Sequence, residues 1–498
     1  MSQAPQSHPA QTTQTTPRTT SRRAVIAGLG AFAALPLVQV EAASADGSSH
    51  GSSIEDLVLL VGSDETQRNL AWFSTDGGRQ EVQLVRRSEY SRGHGFRRAG
   101  TRRVRATSGE ALTDGYHFHH ATLEDLRADT RYLYRVGSER AGWSDVFEFR
   151  TLARSGSFEF LVVADPQIGA SGDNAADGEG WATTLRFAEK KYPRAAFILS
   201  AGDQINTTGD LSAMAEEYTE LLAPRQLASL PVAPVIGNHD EGSDLYKQHF
   251  HVANQSTSVG VVASSGNAGG NSWFRFQDVL VVALNSNSTD NAAHLDYVAQ
   301  TMHEHEDARW VLVTFHHSVF STADHAMDSD IIERRRVLPP GFSELGVDLV
   351  LMGHDHHFTR SYLMNVTDDE DGDGVPDNAL SSFETAGTVR GRVVAEDGDV
   401  LYLTCNSCSG SKYYETDEEN VDSFYWIAED EQRHHPNVTR VRVERDALTL
   451  VTHDVTDGRV VDEVELVRGS RGHGGHGHGS HGHGHRGHSG HGRGKGRG

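Results

Sequence analysis

The chain has 498 residues with a formal net charge of −24, long enough for two or three domains with sizeable cores. The charge is uneven: residues 1–45 carry +2 and residues 468–498 carry +6, which leaves −32 on the body between them. A body this acidic repels nucleic-acid backbones and argues against a DNA or RNA polymer as partner, while leaving open a small phosphate ester drawn in by metal charge.

Residues 1–45 read as an address rather than as structure. A polar stretch ends in Ser21-Arg22-Arg23, an apolar run follows from Ala24 to Val40, and Ala43-Ser44-Ala45 supplies a small-residue cleavage site. The paired arginines resemble a twin-arginine export signal, which implies a secreted or extracytoplasmic protein with no stable membrane insertion after cleavage. A retained short anchor is the alternative, although the run is short and Gly-rich for a span. Residues 46–56 form a Gly/Ser linker.

From 57 to 153 come short β-type runs split by turn residues, among them LVLLVG, NLAWFST, YHFHHATL and VFEFRTL, with no helical stretch between them. This pattern predicts an all-β sandwich with Trp72, Tyr134 and Phe147 as core anchors. It holds no cluster of ligands, so its expected role is a spacer or a wall beside an active site.

Over 157–467 the pattern changes. Apolar runs alternate with helical segments such as WATTLRFAEKKY and LSAMAEEYTELLA, which predicts an α/β domain with a sheet flanked by helices. Five runs end in chemistry: Asp165 in VVADPQIG, Asp203 in LSAGDQIN, Asn238 and His239 in VIGNHD, His316 and His317 in VTFHHS, and His354 and His356 in LMGHDHH. Sites in such sheets lie beyond the carboxyl ends of strands. Carboxylates, an amide and imidazoles hold hard-to-borderline divalent cations, and two close cations serve attack on phosphorus. Asp203 is expected to bridge two ions, with Asp165 and His356 on one and Asn238, His316 and His354 on the other. Gly202 and Gly353 would leave room for close approach. His239 is placed to protonate a leaving alkoxide, and His317 to contact substrate or support a ligand. Arg360 either contacts phosphate or anchors its own segment.

Downstream, Asp369, Asp371, Asp373 and Asp377 alternate around Gly374 like the front of a calcium loop, but Leu380 stands where a closing Glu would be. Calcium binding and a solvated acidic loop are the two readings. The two cysteines, Cys405 and Cys408 in CNSCSGS, are too few for a four-thiolate zinc site, and a tight disulfide is expected after export. The domain closes with a hairpin pattern and a final strand. Residues 468–498 form a Gly/His/Arg tail carrying eight His, expected to be disordered and either metal-scavenging or merely solubilising.

The series D…GD…GNHD…H…GHDH resembles the calcineurin-type metallophosphoesterases, and HHATLEDLRADTRYLYRVGSERAGWSDVFEFRT resembles the fibronectin-type-III-like domain that precedes the catalytic domain in purple acid phosphatases. The resemblance covers about residues 57–467. It implies a β-sandwich ahead of an αββα-layered catalytic domain, a two-metal centre and hydrolysis of phosphate esters. It also brings Asn206 into the metal site, at the position where purple acid phosphatases carry a tyrosinate ligand to ferric iron. Gln167 stands where many relatives carry a ligand His. Both departures point to divalent ions such as Fe, Zn or Mn, with calcium a further candidate cofactor. The expected function is a secreted phosphohydrolase acting on small phosphate esters through metal-activated hydroxide, monoesters ahead of diesters. The alternative is an exported metal-binding protein that works through its His-rich tail.

Overall fold

The computed structural model describes residues 54–91, 93–97, 100–262, 266–365 and 391–469. The export signal, the acidic loop with Asp369, Asp371, Asp373 and Asp377, and the tail from 470 onward lie outside the described residues.

Residues 54–151 form two facing sheets. One contains Ile54–Val61, Arg68–Ser74, His117–Leu123 and Thr107–Glu110; the other contains Arg102–Arg105, Glu81–Arg86 and Arg131–Ser138, with Gly142–Trp143 and Phe147–Arg150 both paired to the last. Leu59, Leu70, Trp72, Val82, Leu84, Tyr134 and Phe149 fill the space between them, and Phe147 packs at its edge. The first strand opens earlier than the sequence suggests: Ile54 and Glu55 already pair with Ser74 and Phe73, so the expected linker at 46–56 ends inside a strand.

The sandwich is not a bead on a string. Leu60 pairs in parallel with Val232, which joins the first sandwich sheet to the catalytic one and gives a single eleven-stranded sheet. A seven-stranded sheet faces it. Phe160, Leu199, Val281, Leu312, Leu351 and Leu403 fill the gap between the two. Trp181, Leu185, Met214 and Tyr218 attach the helices Asn174–Lys191 and Leu211–Leu222 to one outer face. Val298, Leu338 and Phe342 attach Asn291–Glu304 and Ser329–Leu345 to the other. The layers run helix, sheet, sheet, helix. Strands covered on both faces have no polar side to show, which is why runs such as FEFLVV and WVLVT read as continuous apolar segments. Asp173 and Asp210 start the first two helices by accepting backbone N–H groups from Ala176 and from Ser212 and Ala213.

Phe158–Val163, Ile198–Ser200 and Val232–Pro234 run parallel in one sheet, as do Val279–Ala283, Trp310–Thr314, Leu349–Met352 and Val400–Thr404 in the other. Their carboxyl ends share one edge of the layered core. Arg360 turns out to be an anchor: its guanidinium lies 2.6 and 3.2 Å from the two carboxylate oxygens of Asp462, both side chains are buried, and the pair ties the seven-stranded sheet to the eleven-stranded one.

Histidines lie inside the sandwich and at its seam with the catalytic chain. His119 lies between the hydroxyls of Ser74 and Ser108, at 2.8 and 2.7 Å, while His120 approaches the Gln248 carbonyl at 3.0 Å and stacks on His251 at 4.8 Å. Burial pushes the pKa values of His119 and His120 down to about 4. An unfolded His titrates near 6.5, so between about 6.5 and 4 the unfolded chain binds more protons than the native one and stability falls as pH is lowered. The midpoint of thermal unfolding is expected to drop steadily as pH is lowered through that window, and His120→Gln should flatten the drop. A midpoint that does not fall across the window in the parent chain would contradict this account of the seam.

Candidate metal centre

Four donor atoms converge at one end of the parallel strands. His316 Nε2 lies 3.0 Å from Asn238 Oδ1, 3.2 Å from Asp203 Oδ1 and 3.2 Å from His354 Nδ1, and His354 Nδ1 lies 3.0 Å from the same Asn238 oxygen. Donors about 2.1 Å from a common cation at right angles are about 3 Å from one another, so these edges suit a shared metal ion. On the far side Asp165 Oδ1 lies 3.6 Å from His356 Nε2 and 3.9 Å from His316 Nδ1. Asp165, Asp203 and His316 are all fully buried or nearly so.

The backbone is strained at the turns that carry Asp165, Asp203, His354 and His356. Asp165, Gln167, Asp203, His354 and His356 all have positive φ, 34° to 75°, five of the eleven such non-glycine residues described. Each left-handed residue of this kind costs about 1–3 kcal/mol and is held only where its surroundings over-determine it. Gly202 and Gly353 are spaces as well as turns: a Cβ on Gly202 would stand 2.4 Å from His316 Nδ1, and one on Gly353 would stand 2.7 Å from Asp165 Oδ2.

A surrounding layer orients the donors. His316 Nδ1 faces the Ala201 carbonyl at 2.9 Å and His356 Nδ1 faces the Lys412 carbonyl at 2.9 Å, which turns each Nε2 lone pair inward. Asp240 accepts from the backbone N–H groups of Gln204 and Gly237 and so ties the Asp203 turn to the Asn238 turn. Burial opposes charge on Asp203, but the neighbouring His316, in charge and hydrogen bond, and His239 outweigh it and hold the carboxyl below its ordinary range. Burial opposes charge on His316 too, yet Asp203 and Asp165 push its pKa up to about 9. Asp165 goes the other way: burial and the like charge of Asp203 raise it well above normal.

The donor set fits divalent cations. Among the described residues, the ion pairs to Asp165 and Asp203 come only from histidines, never from arginine or lysine. Two buried carboxylates without a fixed counter-charge are costly unless a cation joins them. Gln167 adds an independent sign: its side chain is 1% exposed and its Oε1 has no hydrogen-bond partner. The histidine-acid group His435, Asp454 and Asp457 is different, because Arg433 and Arg459 already offset its charge.

The other expected residues fall as follows. His239 Nδ1 hydrogen-bonds the Asn206 carbonyl, and its Nε2 stands 4.0 Å from Asp203 Oδ2 with the side chain 28% exposed, at the mouth of the site. The recorded contacts of Asn206 run through its main chain, to Ile168, Glu217 and His239. His317 is buried, with Nδ1 2.8 Å from the Ser286 hydroxyl and its ring 4.7 Å from that of His354. Burial and the nearby Arg334 drive its pKa well below normal, so it is a neutral ring behind His354. The expected disulfide is a correction: Cys405 and Cys408 are separate buried thiols. Cys405 faces the core between the sheets and Cys408 faces the helical layer, so a spacing that permits a bridge places the two sulfurs on opposite sides of the sheet.

Three residues at the mouth escaped sequence reasoning. The His325 ring lies 4.5 Å from that of His354, and its Nδ1 reaches Asp328 at 2.7 Å. Tyr414 sits edge-on to both His325 and His356, at 4.9 and 5.4 Å, beside Lys412. His325 comes from a loop without any periodic signal. Lys412 and Tyr414 follow the strand Val400–Thr404, one more parallel strand end at the same edge, and that rule could have found them.

Two family models match the chain: the purple acid phosphatase N-terminal domain over residues 54–151, and the calcineurin-like phosphoesterases over residues 158–358. The chain thus carries a segment that matches the calcineurin-like phosphoesterases behind one that matches the purple acid phosphatase N-terminal domain. It is similar to purple acid phosphatase 1 of Ipomoea batatas, 23% identical over 262 residues, which are 49% of this chain and 51% of that protein. An uncharacterized protein of Mycobacterium tuberculosis strain H37Rv is 28% identical over 160 residues, 26% of this chain and 28% of the relative. The chain thus spans about half or less of the length of these relatives. The fold also matches the solved purple acid phosphatase PPD1 of yellow lupin seeds, with a TM-score of 0.63 and 13% identity over 84% of this chain and 75% of that one. A fold of this type implies a dinuclear metal centre.

Proposed function

We propose that this phosphoesterase hydrolyses small phosphate monoesters outside the cytoplasm, using two divalent cations, with Fe, Zn and Mn as the candidates. The single observation that supports this best is the convergence of donor atoms of Asp203, Asn238 and His354 to 3.0–3.2 Å from His316 Nε2, beside Asp165 and His356. Export is supported by the arginine pair ahead of the apolar run at 24–40, and among the described residues no helix is long and apolar enough to cross a membrane.

In this reading Asp165, Asp203 and His356 would hold one cation, and Asn238, His316 and His354 would hold the other with Asp203 shared. Bound there, the cations would polarise the phosphoryl oxygens and make a water acidic enough to attack phosphorus. The chain's own groups supply the rest. The His239 ring is fixed through Nδ1 on the Asn206 carbonyl, so its Nε2 faces the mouth and can pass a proton to the leaving oxygen. His325, half-buried over His354, offers a second polar group to the substrate. We read His317 as support for His354 rather than as a substrate contact, because it is enclosed by Ser286 and Arg334. Asn206 lacks the phenol that a ferric ion would need, and the buried, unpartnered Gln167 Oε1 would supply a neutral oxygen donor to the first cation.

His239→Gln is expected to lower kcat about 10²–10⁴-fold on alkyl phosphates. The loss should be much smaller on aryl phosphates whose acidic phenols leave without help. Equal losses on both would remove His239 from the proton-transfer role, and no turnover of either ester by the metal-loaded parent would overturn the hydrolase reading. For the first cation, Gln167→Leu should cost about 10–100-fold in affinity for one of two bound ions, while Gln167→His should raise zinc affinity. Calorimetric titration of metal into stripped protein reads both, and unchanged affinity in Gln167→Leu would exclude the amide as a donor.

A further inference from the structure

Four rings form an arc over the metal centre. His325 covers His354 at 4.5 Å, Tyr414 meets His325 at 4.9 Å and 85°, and Tyr414 meets His356 at 5.4 Å and 81°. The arc therefore runs from a donor expected on one cation to a donor expected on the other. The Lys412 ammonium lies 4.4 Å from the Tyr414 ring centre and hydrogen-bonds the Tyr414 hydroxyl.

This pair is held firmly. Gln432 Nε2 donates to the carbonyls of both Tyr414 and His356, at 2.9 and 2.8 Å. The hydroxyls of Ser407 and Ser409 bind the carbonyls of Asp165 and Pro166, at 3.0 and 2.6 Å, which laces the same loop to the turn that carries Asp165. Yet no carboxylate among the described residues ion-pairs with the Lys412 ammonium; the adjacent Glu415 is engaged by His434 instead. In a chain of net charge −24, a rigidly placed, half-buried and unneutralised cation at the mouth of a metal centre has an energetic reason to be filled by an anion.

Its position says which anion. The Lys412 carbonyl, not its side chain, supports His356, so the ammonium is free of the metal scaffold. The ammonium contacts Tyr414, whose ring borders His325 and His356, so it sits beside the donor histidines rather than among them. We propose that Lys412 and the Tyr414 hydroxyl form a subsite for a second anionic group, best a second phosphate, carried by the substrate's leaving portion. The preferred substrate class is then an organic bisphosphate rather than a simple monoester. This rests on the phosphohydrolase reading above and narrows it.

Phosphonates, whose carbon–phosphorus bond is not hydrolysed, test the subsite by binding alone. Calorimetry on the metal-loaded full chain would compare an alkyl monophosphonate with α,ω-alkane bisphosphonates of two to five carbons. One additional charge-assisted contact is worth about tenfold or more in affinity. The parent is expected to bind the best-fitting bisphosphonate at least tenfold tighter than the monophosphonate. Lys412→Met should erase that ratio, Lys412→Arg should keep most of it, and Tyr414→Phe should reduce it about threefold. Metal content should be unchanged in Lys412→Met, because the main-chain carbonyl remains. A parent that binds both ligands equally, or a ratio that survives in Lys412→Met, overturns the subsite. If Lys412→Met does not fold, a Tyr414→Phe ratio equal to the parent's does the same. Turnover of an aryl phosphate by the parent, measured in parallel, separates failure of the subsite from failure of the hydrolase reading.

Discussion

Two carboxylates, Asp165 and Asp203, are buried at the same strand-end edge with no arginine or lysine among the described residues to answer them, and the rest of the site is arranged around that fact. A buried anion is costly in a low-dielectric interior, and two near each other are worse. The neighbouring histidines give a partial answer. His316 is driven toward its charged form while Asp165 is driven toward its neutral one. Held by these residues, a pair of divalent cations would answer the same charge in full, with His316 as a neutral donor.

The fold is what makes such a cluster affordable. Parallel strands buried on both faces bring distant segments to a common edge, and two facing sheets supply it from both sides. The turns then leave those strands in left-handed conformations that shorten the path from backbone to centre. Glycines at 202 and 353 let a neighbouring donor come closer than any side chain would allow. The shell of carbonyls at Ala201 and Lys412 fixes the rings from behind. The strain is thus spread over several segments and opposed by a large common core.

Much of this was legible in the sequence, for a physical reason. A strand covered on both faces is an unbroken apolar run, so the polar residue that ends it stands out, and five runs ended in ligand chemistry. An α/β domain with its candidate donors at strand ends followed from that alone; the second, facing sheet was implied only by the family resemblance. What failed depended on direction or on distant contact. The spacing of Cys405 and Cys408 says that they are close, but not that their sulfurs face different layers. Nothing local to Leu60 announces that it will pair with Val232 and merge the sandwich with the catalytic sheet. His325 and Tyr414 reach the mouth on irregular loops, where no period marks which side chain turns inward.

The central claim is that the buried carboxylates exist to hold two cations, with Asp203 common to both. Metal stoichiometry of the protein matured in its own host, and of isosteric variants, tests it most directly. The account predicts two ions per chain in the parent, one in Asp165→Asn, and close to none in Asp203→Asn, with each variant folded. A parent that matures without metal, or an Asp203→Asn chain that keeps both ions, would contradict it.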